Sequence, residues 1–274
     1  MDEFGDSILP KAKTALGRLA HSIDHQPGLF PERISLIHEY KPNGGDIAFF
    51  CSVESGDQYF AKQDSFGKDV RATELFCSLF ARRLDINVPD FAVLEDNSGQ
   101  TFFGSKNVFS TASVFDAKYL LTQKSMSELG QPLWIGQFLS KLYAFDLLFF
   151  NDDRCINNFL MTKDGMRKNL YAMDFANSRL SELTNQRILL DSSTTMRDAK
   201  LLRSWHGFDK ISAMNLVENI GRLDQRFVED VLDTIPEDWL DKTKRKSICA
   251  AWSEGHIQTR IEALRRFFTD GKRI

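Results

Sequence analysis

What most constrains this chain is a polar octet wedged between two apolar segments. Residues 135–149 place Ile135, Phe138, Leu139, Leu142, Tyr143, Asp146 and Phe149 at helical spacing, a face broad enough to be buried. The chain then runs Asn151-Asp152-Asp153-Arg154-Cys155-Ile156-Asn157-Asn158 and returns at once to apolar residues, Phe159 to Met161. Two Asp and three Asn held between core segments need partners, because polar groups drawn toward a core are costly when unpaired. Sixteen residues beyond Asn158, Asp174 follows Tyr171, Ala172 and Met173 and precedes Phe175 and Ala176, the pattern of a strand that ends in an acid.

Such a set suits phosphoryl transfer. That reaction uses one carboxylate to orient the attacking hydroxyl, and an amide with a second carboxylate to hold Mg²⁺ against nucleotide phosphates. In kinase-type loops the base Asp precedes the metal-binding Asn by five positions, and a later strand-end Asp supplies the second metal ligand. Asp153 and Asn158 have that offset, with Asp174 as the third member. Asp152 and Asn157 are also five apart, but Arg154 follows Asp153 and favours the register Asp-Arg-x-x-x-Asn.

Upstream, residues 8–24 have the apolar spacing of a short amphipathic helix, ended by Pro27, Gly28 and Pro31. His21 and His25 stand four apart, a metal-ligand spacing on a helix, yet without a third ligand they read as surface histidines. From Ile34 the period shifts toward two. Strands are expected over 34–40, 47–53 and 58–63, an antiparallel meander joined by tight turns. Asn43-Gly44-Gly45 in the first turn is either an ordinary hairpin turn or a place where backbone N–H groups approach phosphates. Lys62 ends the third strand, as a solvated edge lysine or as the strand lysine that grips nucleotide phosphates. A helix over 70–84 follows with Glu74 early in it, placed either to pair with Lys62 or to join Arg71 on the surface.

Two more strands are expected over 91–95 and 101–108, then a linker with a short helix over 110–134. From Ser181 onward strands disappear, and segments 196–204, 212–221, 224–234, 237–250 and 257–268 all have helical spacing. Sheet first and helices after give an α+β, bilobal, protein-kinase-like plan: an N-terminal helical extension (1–32), a small lobe (33–108) and a large lobe (109–274).

Asn-Asp-Asp-Arg-Cys-Ile-Asn-Asn followed by Met-Asp-Phe resembles the catalytic and metal loops of HipA-like kinases, bacterial relatives of the phosphatidylinositol-kinase branch of the protein-kinase-like fold. Val88-Pro89 ahead of a strand, Phe103-Gly104-Ser105-Lys106, Ile235-Pro236-Glu237-Asp238-Trp239-Leu240 and residues 260–267 extend the resemblance over roughly 33–268. It implies an ATP- and Mg²⁺-dependent protein serine/threonine kinase. Lys62 would grip the α/β phosphates, Glu74 orient Lys62, Asp153 orient the substrate hydroxyl, and Asn158 with Asp174 bind Mg²⁺. Arg154 would neutralise carboxylates or meet phosphate, and Gly104 and Ser105 would lie near the hinge that holds adenine. The family also implies toxin activity with a DNA-binding antitoxin as partner. Three departures stand out: Ala176 replaces the usual Gly after Asp-Phe, no conspicuous Gly/Ser phosphate loop appears, and the chain is too short for the extra N-terminal subdomain of full-length HipA proteins.

The remaining numbers bound the alternatives. With 42% hydrophobic residues in 274 positions a sizeable core is available. A formal charge of −3, from 35 basic and 38 acidic residues, gives no global field for nucleic acid or an anionic membrane, so neither partner is expected. Cys51, Cys77, Cys155 and Cys249 are far apart, and the start is acidic where a signal peptide would be basic, which fits a cytoplasmic protein. Rival readings keep the fold and change the chemistry: a catalytically silent nucleotide-binding scaffold, or a kinase for a small metabolite or lipid head group.

Overall fold

The computed structural model describes residues 30–39, 46–65, 67–108, 112–164 and 167–270. The expected N-terminal helix, with His21 and His25, and the turn Asn43-Gly44-Gly45 lie outside the described residues.

Alternating apolar residues build β1 (Glu32–His38), β2 (Ile47–Val53), β3 (Gln58–Lys62), β4 (Phe91–Glu95) and β5 (Thr101–Lys106). The meander of β1, β2 and β3 is present, but the sheet does not stay open: it closes in the order β1-β2-β3-β5-β4. Closure comes from a parallel contact, Glu32 beside Leu94 and Arg33 beside Glu95, which hairpin patterns could not announce. Register shifts between Ile34 and Leu36 and between Ile47 and Phe49 supply the bend. Ile34, Cys51, Val53, Tyr59, Ala61, Ala92, Leu94 and Phe102 fill the barrel. Lys62, next to inward-facing Ala61, therefore points out of the barrel. Its neighbour across the ladder, Phe103, joins a second and larger core.

That larger core also takes α1 (Val70–Arg83), the helix between β3 and β4. Phe76 and Phe80 stack at 4.5 Å, and Phe80 meets Phe149 at 5.3 Å, Phe227 at 5.0 Å and Trp252 at 5.6 Å. Aromatic pairs of this kind add to the burial energy itself. The helix that carries Glu74 is thus fixed against the helical part of the molecule as well as hung from the barrel.

The stretch expected to be linker and short helix contains β6 (Ala112–Ser113) and α2 (Val114–Thr122), capped by Ser113. After α3 (Trp134–Leu148) come β7 (Phe159–Asp164) and β8 (Arg167–Ala172), which with β6 make a small three-stranded sheet. Five helices complete the chain: α4 (Thr194–His206), α5 (Lys210–Gly221), α6 (Gln225–Asp233), α7 (Lys242–Ser253) and α8 (His256–Asp270). Four of them begin on a capping side chain, Ser193, Asp209, Asp224 and Asp241, each accepting from a first-turn N–H. Asp241 explains why the expected helix over 237–250 starts later. The preceding residues turn inward instead, and Trp239, 1% exposed, donates to Thr101 Oγ1 at 2.8 Å.

The end of α3 is clamped from α8. Arg260 is fully buried; it donates to the carbonyls of Leu148 (2.7 Å), Leu147, Asn185 (2.6 Å) and Arg187 (2.9 Å) and lies 3.5 Å over the Phe150 ring. The bonds to Leu147 and Leu148 satisfy carbonyls that the end of α3 leaves orphaned. They also fix the point at which the polar octet begins.

Candidate active site

The octet is held from below by one acid. Asp146, on the apolar face of α3 and fully buried, accepts from Arg154 Nε (2.8 Å) and Nη2 (3.0 Å) and from Asn151 Nδ2 (2.8 Å). Arg154 also donates to the Met173 carbonyl and lies 4.7 Å from the Phe175 ring centre, so one guanidinium ties α3, the octet and the segment after β8 together. Thr195 from α4 accepts from the Arg154 amide at 2.9 Å and donates to the Asn151 carbonyl at 2.7 Å; Asp198 accepts from the Ile156 amide at 3.0 Å. Burial raises the pKa of Asp146, against the pull of Arg154. The expectation that Arg154 meets phosphate is corrected here: its N–H groups are taken by Asp146 and Met173, and it positions the loop from within.

On top of this frame Lys62, Glu74, Asn158 and Asp174 converge. Lys62 Nζ donates to Glu74 Oε1 at 2.7 Å and to Asp174 Oδ1 at 2.9 Å. Glu74 Oε1 also accepts from the Phe175 amide at 2.9 Å, which settles its partner; Arg71 pairs with Asp64 instead, at 2.7 Å. Asn158 Nδ2 donates to the other Asp174 oxygen at 3.0 Å. Asn158 is buried and Asn157 exposed, so the Asn158 register is the one that reaches Asp174.

Electrostatics follow from that geometry. Burial alone would lower the pKa of Lys62, but Glu74 and Asp174 outweigh it and hold the ammonium above its usual range. Burial opposes ionisation of Asp174, yet Lys62, with Arg154 behind it, keeps its pKa below the usual carboxylate value. Glu74 is pushed up by burial. Asp174 is the solvent-facing member, with a side chain 39% exposed against 9% and 3% for Lys62 and Glu74. Its backbone is left-handed, φ 65, uncommon outside glycine and typical of places where surroundings impose a shape on a functional residue.

Asp153 lies on the exposed edge of the octet and accepts from Asn177 Nδ2 at 3.1 Å, while Asp152 turns to Arg179 at 3.1 Å. Gly104 and Ser105, expected near the hinge that holds adenine, are strand residues. Both lie inside β5, flanked on one side by Ala61 and Phe60 and on the other by Ala92 and Phe91, so their backbone groups serve the two ladders. Gly104 faces the barrel interior, where a Cβ would stand 2.7 Å from Leu94 Cγ, and that close approach accounts for the glycine. Among residues the spacing argument passed over, Asp146 did carry a signal, an acid on an otherwise apolar helix face. Asn177, Thr195 and Asp198 carried none.

The donor set suits Mg²⁺. Asp174 and Asn158 offer one carboxylate and one amide side by side, all oxygen once the amide turns, and Mg²⁺ binds through one or two carboxylates while taking its other ligands from water and phosphate. No cluster of three or more His, Cys, Asp or Glu among the described residues is arranged to hold a metal unaided. No helix of the described residues is long and apolar enough to cross a membrane.

Residues 34–270 match the family model of the HipA-like kinases. The proinflammatory kinase CtkA of Helicobacter pylori superposes with a TM-score of 0.54 at 11% identity, covering 85% of this chain and 96% of that one. HipA of Shewanella oneidensis MR-1, solved with HipB and operator DNA, gives 0.47 at 12% identity over 92% of this chain and 69% of that one. The Golgi casein kinase with Mn/ADP bound gives 0.45 at 12% identity, over 86% and 74%. Of these three only CtkA is similar enough to bear on the fold, and at that identity it speaks for the kinase-like fold alone. A comparison with curated protein sequences finds no match.

Proposed function

The chain belongs to the HipA-like kinase family and is accordingly a phosphotransferase, and on that premise we propose that it transfers the γ-phosphoryl group of ATP, with Mg²⁺, to a Ser or Thr hydroxyl of a protein in the cytoplasm. One observation carries the reading. Lys62 touches Glu74 and Asp174 at once while Asn158 holds the second Asp174 oxygen, so groups from β3, α1, the octet and the segment after β8 meet at one point. The nucleotide would sit between a small lobe, 33–108, and a large lobe, 109–274.

Lys62 supplies the fixed positive charge for the α/β phosphates, and Glu74 keeps its stem from collapsing onto the acids beyond. Asp174 and Asn158 would hold Mg²⁺, which when bound neutralises charge on the phosphates being parted. Asp153, in the same loop but outside that cluster, orients the acceptor hydroxyl and takes its proton. Arg154 and Asp146 keep Asp153 and Asn158 in register beneath. Family membership also motivates an antitoxin-type protein partner, to be sought by purifying the chain from its native cells and identifying what accompanies it.

The test is incubation of purified protein with γ-labelled ATP, Mg²⁺ and cell extract. Label is expected on protein Ser or Thr and is expected to vanish in Asp153→Asn and Asp174→Ala. Label in a metabolite or lipid would reassign the acceptor; label nowhere, with ATP affinity unaltered by Asp174→Ala, would sink the enzymatic reading.

A further inference from the structure

Asp153 is reached by a chain of contacts that starts in the loop between β3 and α1. Lys68 Nζ donates to Asn177 Oδ1 at 2.6 Å, and Asn177 Nδ2 donates to Asp153 Oδ2 at 3.1 Å. The two bonds fix the amide's orientation, since an ammonium needs the carbonyl oxygen and a carboxylate needs the N–H. The turns that carry Lys68 and Asn177 are both closed by backbone bonds. Lys68 sits in a tight turn, its amide donating to the Ser65 carbonyl at 2.7 Å, and the turn after Asp174 is closed by the Ser178 amide donating to the Phe175 carbonyl at 2.9 Å.

The chemistry at position 177 is demanding. An acid there would face Asp153 with a like charge, an ammonium would face Lys68, and an aliphatic side chain would break both contacts. A neutral group that donates and accepts at once is what the two neighbours require.

We propose that Asn177 and Lys68 are positioning residues that aim the Asp153 carboxylate, and that Lys68 links this aim to the loop leaving Lys62. Nucleotide-side and acceptor-side groups then share one mechanical connection: a shift of the β3–α1 loop moves Lys68, hence Asn177, hence Asp153. Lys68 and Asn177 also line a groove of about 380 Å³, part polar and part apolar, together with Thr73, Asp152, Arg179 and Leu240, so an acceptor segment lying in that groove would touch the relay. The proposal rests on the reading of Asp153 as the group that orients the acceptor hydroxyl.

Its energetics make it separable from a structural role. Exposed polar contacts such as these add little to folding, whereas misplacing a reacting group by about 1 Å can cost on the order of 100-fold in rate. The experiment uses the full chain, with turnover, KM for ATP and Tm measured for wild type, Lys68→Met, Asn177→Ala, Asn177→Asp, the Lys68→Met/Asn177→Ala double variant and Asp153→Asn. Asn177→Ala is expected to lower kcat about 10- to 100-fold with KM for ATP and Tm unmoved. Asn177→Asp, nearly isosteric, should do the same by repelling Asp153. The double variant should be no slower than Asn177→Ala, because the two residues act through one path.

Turnover of Asn177→Ala and Asn177→Asp within about twofold of wild type, well inside the loss a misplaced group should cause, while Asp153→Asn is inactive, would overturn the relay and leave the reading of Asp153 standing. Losses that multiply in the double variant would overturn it equally. Full turnover by Asp153→Asn would instead remove the premise, a distinct failure that the same panel identifies.

Discussion

Replacing Arg154 with Ala separates a group that faces phosphate from one that holds the loop. In the structure the change leaves Asp146, fully buried, with Asn151 Nδ2 at 2.8 Å as its remaining side-chain donor among the described residues. Removing one partner of a buried pair costs about 3–5 kcal/mol, because the other charge stays behind unpaired. At roughly 2–4 °C per kcal/mol for a chain of this size, Tm should fall by roughly 6–20 °C. The loss should also depend on pH in a definite sense. Burial already holds Asp146 above its ordinary pKa, and without the guanidinium it rises further. A carboxyl whose folded pKa exceeds its unfolded value binds protons preferentially in the folded state, so its stabilising share is present at low pH and lost as pH rises through the folded pKa. The deficit of Arg154→Ala should therefore shrink between about pH 8 and pH 5. Urea unfolding followed by tryptophan fluorescence at both pH values measures this, with an Asp146→Leu/Arg154→Met variant expected to recover most of the loss by removing both charges. A deficit below about 1 kcal/mol at about pH 8, together with abolished phosphoryl transfer, would refute the reasoning and return Arg154 to the reacting groups.

Three further perturbations probe the frame. Gly136→Ala should cost about 1–3 kcal/mol in urea unfolding, because the new Cβ would fall on the His206 backbone carbonyl and 2.8 Å from Pro132 Cβ, and a backbone cannot swing aside as a side chain can. His206 is fully buried with its ring on the Leu121 carbonyl at 2.8 Å, and burial lowers its pKa. Its unfolded form protonates first, so stability should drop as pH falls below about 6.5, and His206→Gln should flatten that drop in unfolding curves taken from pH 7.5 to 5. At Asp174, φ 65 penalises any Cβ that lacks compensating contacts; Asp174→Ala should be less stable than Asp174→Gly by about 1 kcal/mol in thermal unfolding, although both lose activity.

The legible parts of the sequence were those that follow from spacing along the chain. Period-two runs placed β2 and β4 at the residues where they occur, and the 3.6 period placed α1, α3 and the later helices to within a few residues of their ends. Lys62 ahead of Glu74, and Asp153 ahead of Asn158 and Asp174, were visible for the same reason: order and offset are linear properties. Barrel closure was not, because the pairing of Glu32 with Leu94 joins positions with no turn between them. The reason for a glycine at position 104 was hidden by a related gap. A glycine in a strand is equally compatible with ligand approach and with a crowded interior, and only the location of Leu94 decides between them. Asn177 reaches both Lys68 and Asp153 through space, across separations of 109 and 24 residues, and no local pattern marks such a residue.

The charge arrangement around Lys62 carries one more consequence for how the site works. Two acids compete for a single ammonium, Glu74 from the buried side and Asp174 from the solvent side, and the pair of contacts leaves the cluster with surplus negative charge. Asp174 and Asn158 would hold a divalent cation at this point, and its charge would offset that surplus while Lys62 keeps its bond to Glu74. Nucleotide and metal should therefore bind cooperatively, each removing the electrostatic obstacle to the other. Two members of the cluster hold their charge: Lys62 is kept above the ordinary lysine range and Asp174 below the ordinary carboxylate range, whereas burial pushes Glu74 up. Neither changes charge between about pH 5 and 9. A rise or fall of transfer rate within that window must then originate in a group other than Lys62 and Asp174.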